Sequence, residues 1–376
     1  MILHLAADEK FIDDAISQFD AVNERVNEYW VISKKETPEF VKSKRVKVFS
    51  FQKFLIMCIL GKLNNFDAII FHSLTQPAKI ACLFSSARVK KAWVGFGFDY
   101  YSIIENDELC VLKPETRKIA IDIYGNAKAN SLVSSIIKKI ISILFNPKSI
   151  DYFSPVLFSE FSLVSEKFNC EMNYVDWNYC GFVNTLHLLG DLKVNYDSKK
   201  VLLGNSCTPT NNHIDAFKDV FNFGLGYKIV VPLSYGDTNL YKDKIVRLFY
   251  ESFKSEDLQL LTDFISFDEY VNLLQDCPFV VMNHLRQQGL GNIIISLFVG
   301  AYVFLDKANP LYAFLSKSGF DIYSIDDIKT VHSLPKPDVT KNRSIILSIW
   351  GAEAQFSKTE RFINIMTSNG SDVEIN

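Results

Sequence analysis

Several common signatures are missing from this chain. No Asp-x-Asp pair occurs anywhere in its 376 residues, so the metal-diphosphate motif common among single-domain sugar transferases is absent. There is no GxxxxGK[ST] and no GxGxxG after the first apolar strand, which weakens P-loop hydrolase and classical dehydrogenase readings. Seven cysteines, at positions 58, 82, 110, 170, 180, 207 and 277, form no CxxC pair and have no histidine cluster beside them. An odd, scattered set reads as reduced thiols in a cytosolic compartment, not as a disulfide framework or a zinc site. The start, "MILHLAADEK", lacks a basic segment followed by an apolar one, so no secretory signal is expected. No uninterrupted apolar run reaches the ~18 residues a membrane span needs, and the expectation is a protein that is soluble or at most peripheral. Net charge is −3, which argues against a general nucleic-acid binder.

What is present is a large apolar fraction, 48% of residues, in a chain long enough for two domains. In the first half, short apolar strands ("MILHLA", "NEYWVIS", "FDAIIFH", "KAWVGF") alternate with helical patterns ("KFIDDAISQF", "FQKFLIMCIL", "PAKIACLF"). Such alternation predicts a parallel sheet covered by helices on both faces. The pattern restarts at "KKVLLGNS" and runs through "YKIVVPLSYG", "LQLLTDF", "FVVMN" and "AYVFL", with helices between them. Continuous apolar strands of this kind are buried on both faces. The irregular stretch at 184–200 reads as a linker, and 346–376 as one terminal helix or two. The expected fold is α/β, with two facing Rossmann-like domains and a cleft between them. Residues 1–185 form the first, residues 199–345 the second, and the terminal helix packs back on the first. Ligands of such sheets bind outside the carboxyl ends of the strands.

Candidate site residues cluster at those ends. "LRQQGLGN" lies between an apolar strand and an apolar helix. A helix N-terminus exposes unpaired N–H groups and a positive dipole end. Gly289 and Gly291 would let backbone approach a ligand, and Arg286 can make a bidentate pair with phosphate. Gln287, Gln288 and Asn292 complete the segment. A tight strand-to-helix turn with a surface arginine explains the same residues about equally well. In "GNSCTPTNNH", Gly204, Asn205, Ser206 and Thr208 could meet phosphate oxygens, while Asn211 or Asn212 could cap the next helix. Tyr235 and Gly236 end the following strand. Ser266 and Glu269 fit a capping box and carry no ligand role. In the first half His72 ends one strand, and Gly95, Gly97, Asp99 and Tyr101 follow another. Asp99, with His72 second, is a candidate base for an acceptor hydroxyl, with Gly97 and Tyr101 on the acceptor side.

These blocks, in this order, resemble glycosyltransferase family 56, the 4-alpha-L-fucosyltransferase group that contains the TDP-N-acetylfucosamine:lipid II N-acetylfucosaminyltransferases. The resemblance is carried by "FH" at 71–72, the W-x-x-x-G-x-D-x-Y from Trp93 to Tyr101, "GNS" at 204–206 and N-x-H-I from Asn211. It continues with VVP-x-x-Y from Val230 to Tyr235, FD-x-Y-x-x-LL-x-x-C from Phe267 to Cys277, and RQQG-x-G from Arg286 to Gly291. It implies a GT-B enzyme that needs no metal or other cofactor. The TDP-activated 4-acetamido-4,6-dideoxy sugar would sit in the second domain. The acceptor, an undecaprenyl-diphosphate-linked saccharide, would meet the first at the cytoplasmic face of the inner membrane. The alternatives are a non-catalytic nucleotide-sugar or glycan binding module, and a sugar-nucleotide epimerase of similar build. The amphipathic segment "LVSSIIKKIISILF" (132–145), with Lys138 and Lys139, reads either as a core helix or as a membrane contact.

Overall fold

The computed structural model describes residues 1–105, 108–125, 141, 143–179, 186, 189–224, 226–236 and 239–368. The chain divides into two compact units: Met1–Asn106, Ser131–Gly181 and Ala352–Asn376 form one, and Asp107–Asn130 with Phe182–Gly351 the other.

The first unit is built on seven parallel strands: β1 (Ile2–Ala7), β2 (Asn27–Ile32), β3 (Val46–Phe49), β4 (Ala68–His72), β5 (Lys90–Val94), β6 (Tyr152–Ser154) and β7 (Asn173–Tyr174). Their order in the sheet is β3-β2-β1-β4-β5-β6-β7. The chain lays down β1, β2 and β3 in one direction and then returns to place β4 on the other side of β1. That reversal opens a crevice beyond the carboxyl ends of β1 and β4, where Ala6 pairs with His72. Helix α1 (Ile12–Asn23) buries Ile12, Ile16 and Phe19 against the sheet. Helices α2 (Phe51–Ile59) and α3 (Gln76–Phe84) flank β4 in sequence and pack on each other.

The second unit repeats the plan with six parallel strands: β8 (Lys200–Leu203), β9 (Lys228–Pro232), β10 (Leu258–Leu261), β11 (Phe279–Met282), β12 (Tyr302–Leu305) and β13 (Tyr323–Ser324). Their order is β10-β9-β8-β11-β12-β13, so the reversal falls between β8 and β11. Four helices matter below: α4 (Pro114–Gly125), α5 (His213–Val220), α6 (Leu290–Val299) and α7 (Ala352–Thr367).

The second unit runs from Phe182 to Gly351 rather than from 199 to 345, and it also takes in one earlier segment. Asp107–Asn130, expected in the first domain, belongs to the second unit. The reason is visible at α4, whose first turn is anchored on α5: the Asp215 carboxylate accepts from the backbone N–H groups of Glu115 (3.0 Å) and Thr116 (2.9 Å). The terminal region is two helices, Val339–Trp350 and α7, broken at Gly351. α7 adds Phe362, Ile363 and Met366 to the core of the first unit. The expected helix at 132–145, with Lys138 and Lys139, lies outside the described residues except at its end, where Ile143 and Leu144 are exposed and Phe145 is buried. No described helix is long and apolar enough to cross a membrane. The described cysteines 58, 82, 110, 170, 207 and 277 are all free.

Candidate active site

In the second unit, the loops after β8, β9 and β11 converge at the strand-order reversal. The backbone N–H of Gly204 continues the ladder to Val281 (2.9 Å), and the chain then turns with φ +71° at Gly204. A Cβ there would lie 2.6 Å from Asn211 Oδ1, so glycine is required by both conformation and space. Asn211, fully buried, is the hub. Its Oδ1 accepts from the Asn205 N–H (2.8 Å), and its amide donates to Ser206 Oγ (3.0 Å) and Thr208 Oγ1 (2.9 Å). Gln288 Nε2 donates to Asn205 Oδ1 (3.2 Å) and Thr208 Oγ1 (3.1 Å), while its Oε1 accepts from Thr210 Oγ1 (2.6 Å). The β9 loop joins through the Tyr235 carbonyl, which accepts from the Cys207 N–H (2.6 Å). The sequence candidates Gly204, Asn205, Ser206, Thr208, Tyr235, Gln288 and Gly289 are thereby brought to one edge. Arg286 and Gln287 lie on the same short loop, Gln287 buried and Arg286 half-buried.

Gly289 caps α6 in the left-handed region (φ +69°), with Asn205 Cγ 3.2 Å from where its Cβ would be. This glycine brings the start of α6 up to the β8 loop. Gly291 and Asn292 fall inside the first turn of α6. Gly291 is therefore a helix residue, and Gly289 alone provides the left-handed turn at the cap.

His284 was not among the sequence candidates, although it sits two residues beyond β11. Its Nε2 faces both Asn211 Oδ1 (2.9 Å) and Asn205 Oδ1 (3.1 Å). Two amide oxygens require an N–H between them, so Nδ1 is the bare nitrogen, buried and without a partner among the described residues. Burial, with the nearby Arg286 and His213 charges acting the same way, pushes the imidazole down to about 3. The ring is neutral at ordinary pH. Lys113 also comes from outside the motifs. Its N–H donates to Asn212 Oδ1 (2.7 Å), and its ammonium pairs with Asp306 (2.5 Å) and donates to Asn283 Oδ1. Asn283 and Asn212 exchange amide-to-carbonyl bonds at 3.0 Å in each direction.

In the first unit the reversal is lined differently. Asn27 donates its amide to the carbonyls of Phe19 (3.2 Å) and Asn23 (2.9 Å), so its Oδ1 must accept from His4 Nε2 (3.1 Å). Burial lowers His4 to about 4, and the neutral ring offers Nδ1 as acceptor to His72 Nε2 (3.0 Å). His72 Nδ1 then accepts from the Tyr179 hydroxyl (2.7 Å). Both nitrogens of His72 are engaged, the residue is buried, and desolvation holds its pKa well below the ordinary value. It has no open edge for a substrate hydroxyl, which corrects its candidacy as a direct base.

Asp99 is held in place by three donors. Oδ2 accepts from Trp93 Nε1 (2.7 Å) and the Leu74 N–H (2.9 Å), and Oδ1 from the Phe96 N–H (2.9 Å). Desolvation outweighs these donors and raises the carboxyl above its usual range. Gly97 (φ +100°) forms the turn before it. Tyr101, expected on the acceptor side, is instead buried with its hydroxyl on Glu160 Oε1 (2.6 Å), beside Tyr100 on Oε2 (2.6 Å). The pair of phenols satisfies a carboxylate taken fully into the core. Among the described residues no group of three or more His, Cys, Asp or Glu is arranged to hold a metal ion.

The arrangement can be set beside known proteins. Residues 184–334, the segment that supplies the β8, β9 and β11 loops, match the family described as 4-alpha-L-fucosyltransferase, glycosyl transferase group 56. The chain is a glycosyltransferase, and its 184–334 segment is similar to group 56. Its fold is GT-B. Sucrose-phosphate synthase from Thermosynechococcus elongatus superposes with a TM-score of 0.65 at 9% identity, covering 97% of this chain and 99% of that one. The lipopolysaccharide outer core galactosyltransferase WaaB gives 0.59 at 10% identity, over 97% and 98%. Anabaena HepE in complex with UDP-glucose gives 0.60 at 11% identity, over 97% and 99%. At these identities the superpositions establish the fold alone. The group 56 match agrees with the resemblance drawn from the separated sequence blocks.

Proposed function

We propose that this glycosyltransferase moves a 4-acetamido-4,6-dideoxyhexose, N-acetylfucosamine-like, from a TDP-sugar to an undecaprenyl-diphosphate-linked saccharide during assembly of a bacterial surface polysaccharide such as enterobacterial common antigen or O-antigen. The observation that carries this reading is the convergence of the "GNS" and "RQQG" blocks on one strand-order reversal, inside the segment that matches group 56. The nucleotide-sugar class is supported by HepE, whose structure holds UDP-glucose.

In this reading the TDP diphosphate lies at the start of α6. The helix dipole, free N–H groups and Arg286 offset its charge, with no metal required. The bond between the anomeric carbon and the β-phosphate oxygen breaks, and negative charge grows on the departing TDP. Donors already aimed at that oxygen act mainly in the transition state. Asn205, Ser206 and Thr208 are locked by Asn211 and Gln288, so little reorganisation is needed on binding. Asp99 takes the proton of the acceptor hydroxyl as that oxygen bonds to the anomeric carbon. Burial raises its carboxyl above the ordinary range, which makes it a stronger base than an exposed aspartate. The lipid-linked acceptor places the enzyme at the cytoplasmic face of the inner membrane as a peripheral protein.

The test is release of TDP from the TDP-sugar, with and without a lipid-linked acceptor. Acceptor-dependent release of TDP with a glycosylated lipid product is expected. Donor binding without release would reduce the protein to a binding module. A changed sugar still attached to TDP would make it an epimerase.

A further inference from the structure

The outward side of α2 and the end of α3 carry large apolar side chains that no described part of the first unit covers. Relative exposure is 55% at Ile56, 65% at Ile59 and 62% at Leu60, with Phe51 at 40% and Leu83 and Phe84 both at 41%. Ile56, Ile59 and Leu60 fall at i, i+3 and i+4, so they share one stripe of α2, while Phe54 and Cys58 on the opposite side are buried. The ends of the two helices are tied together. Asn64 Oδ1 accepts from the Ser86 N–H (2.7 Å), and its carbonyl accepts from Arg88. The exposed residues of α2 and α3 therefore form one patch. Single exposed apolar residues are ordinary; a contiguous patch of this kind is not.

The sequence that carries the patch is strongly basic. From Phe40 to Phe98 the sequence holds ten Lys or Arg and one acid, Asp67. That acid is paired with the N-terminal ammonium. Arg45 and Lys47 are used by Asp20 and Glu28, and Lys90 and Lys91 by backbone carbonyls. Lys53, Lys62 and Arg88 are exposed at the rim, and among the described residues none of them enters a salt bridge. An apolar stripe flanked by exposed cations, in a stretch of sequence whose one acid is already paired, matches the interface of an anionic bilayer.

We propose that the α2–α3 face of the first unit docks on an anionic lipid surface, with the stripe among the acyl chains and Lys53, Lys62 and Arg88 at the headgroups. This deepens the proposed use of a lipid-linked acceptor, but its test needs neither donor nor acceptor. The full-length protein is sedimented with phosphatidylethanolamine vesicles containing phosphatidylglycerol, and with phosphatidylcholine vesicles as the neutral control. Binding to the anionic vesicles, weakened by salt, is expected. The Ile56→Ser, Ile59→Ser, Leu60→Ser triple variant and the Lys53→Glu, Lys62→Glu pair should each lower that binding by about tenfold or more. These side chains are exposed, so melting temperature should hold. Protection by TDP should hold too, which separates this claim from the donor reading. Failure of the parent protein to bind vesicles would overturn the proposal, as would unchanged binding by either variant. A dimer in sedimentation velocity that the triple variant dissociates would instead assign the face to a second copy of the chain.

Discussion

At the reversal between β8 and β11 the side chains are amides and hydroxyls locked on Asn211; at the one between β1 and β4 they are two neutral imidazoles, a phenol and a clamped carboxylate. The two sheets share a topology and differ in the chemistry placed at the same point of it. The second unit presents neutral donors and a helix start, which suits a polyanion. The first unit presents a carboxyl with a raised pKa, which suits proton transfer and would repel a diphosphate. In the proposed reading, one architecture used twice, with different loops, divides the work of a transfer reaction between the units. The following outcomes would break or sharpen that division.

The largest effect is expected at Asp99. Asp99→Asn should lower transfer by about 10²–10⁴-fold in steady-state assays if the carboxylate is the base. One of the three donors will then face an amide N–H₂, so a loss of stability on the order of 1–3 kcal/mol should accompany it in urea unfolding. Transfer at the parental rate would remove Asp99 from the chemistry and leave it as the clamp of the 95–101 loop.

Arg286→Ala comes next, with a loss of about 2–4 kcal/mol in transition-state stabilisation, read as kcat/KM for the TDP-sugar. A well-folded variant with normal turnover would detach the α6 start from the diphosphate.

Gly289→Ala should cost about 1–2 kcal/mol of stability, because alanine is forced to φ +69°. It should also weaken TDP binding, since the new methyl presses on Asn205. Gly226→Ala is the control: its φ of +84° imposes similar strain, but nothing lies within 4 Å of the added methyl. Equal TDP affinity in the two variants would mean that Asn205 is not at the donor site.

The smallest effect concerns pH. The unfolded histidines take a proton near 6.5, whereas folded His4 does so at about 4 and folded His213 and His284 at about 3. Between pH 6.5 and 5 the unfolded state therefore binds more protons. Stability must fall on acidification, by up to about 1.4 kcal/mol per pH unit for each such group. Urea unfolding across that window should show the slope, and His284→Gln should make it shallower. An unchanged slope would show that burial does not hold His284 neutral.

Strands β1, β2, β4 and β5 of the first core and β8 to β12 of the second could be read from the sequence because each is a largely apolar run between turn residues, whereas β3, half-exposed, and β6, three residues long, were not among the expected strands. The strand ends were therefore legible, and with them Gly204–Ser206, Tyr235 and the Arg286–Gly289 loop. The short edge strands β7 and β13, two residues each, left no pattern to detect. Lys113 was invisible because its partners Asn283 and Asp306 are far away in sequence. His72 and Tyr101 look available in a linear sequence. Only the fold shows that His4 and Tyr179 occupy the first, and that Glu160 takes the second. Gly291 misled for a local reason: a two-glycine motif does not say which glycine is the cap.

The division of labour is tested most directly by thermal unfolding with and without TDP, each variant compared with its own unliganded midpoint. Binding raises the midpoint by mass action, so the shift reports donor affinity apart from the stability of the variant. TDP should raise the midpoint of the parent protein and of Asp99→Asn by the same amount, and should leave Arg286→Ala nearly unmoved. Loss of the shift in Asp99→Asn, or a full shift in Arg286→Ala, would contradict the placement of the donor in the second unit and the base in the first.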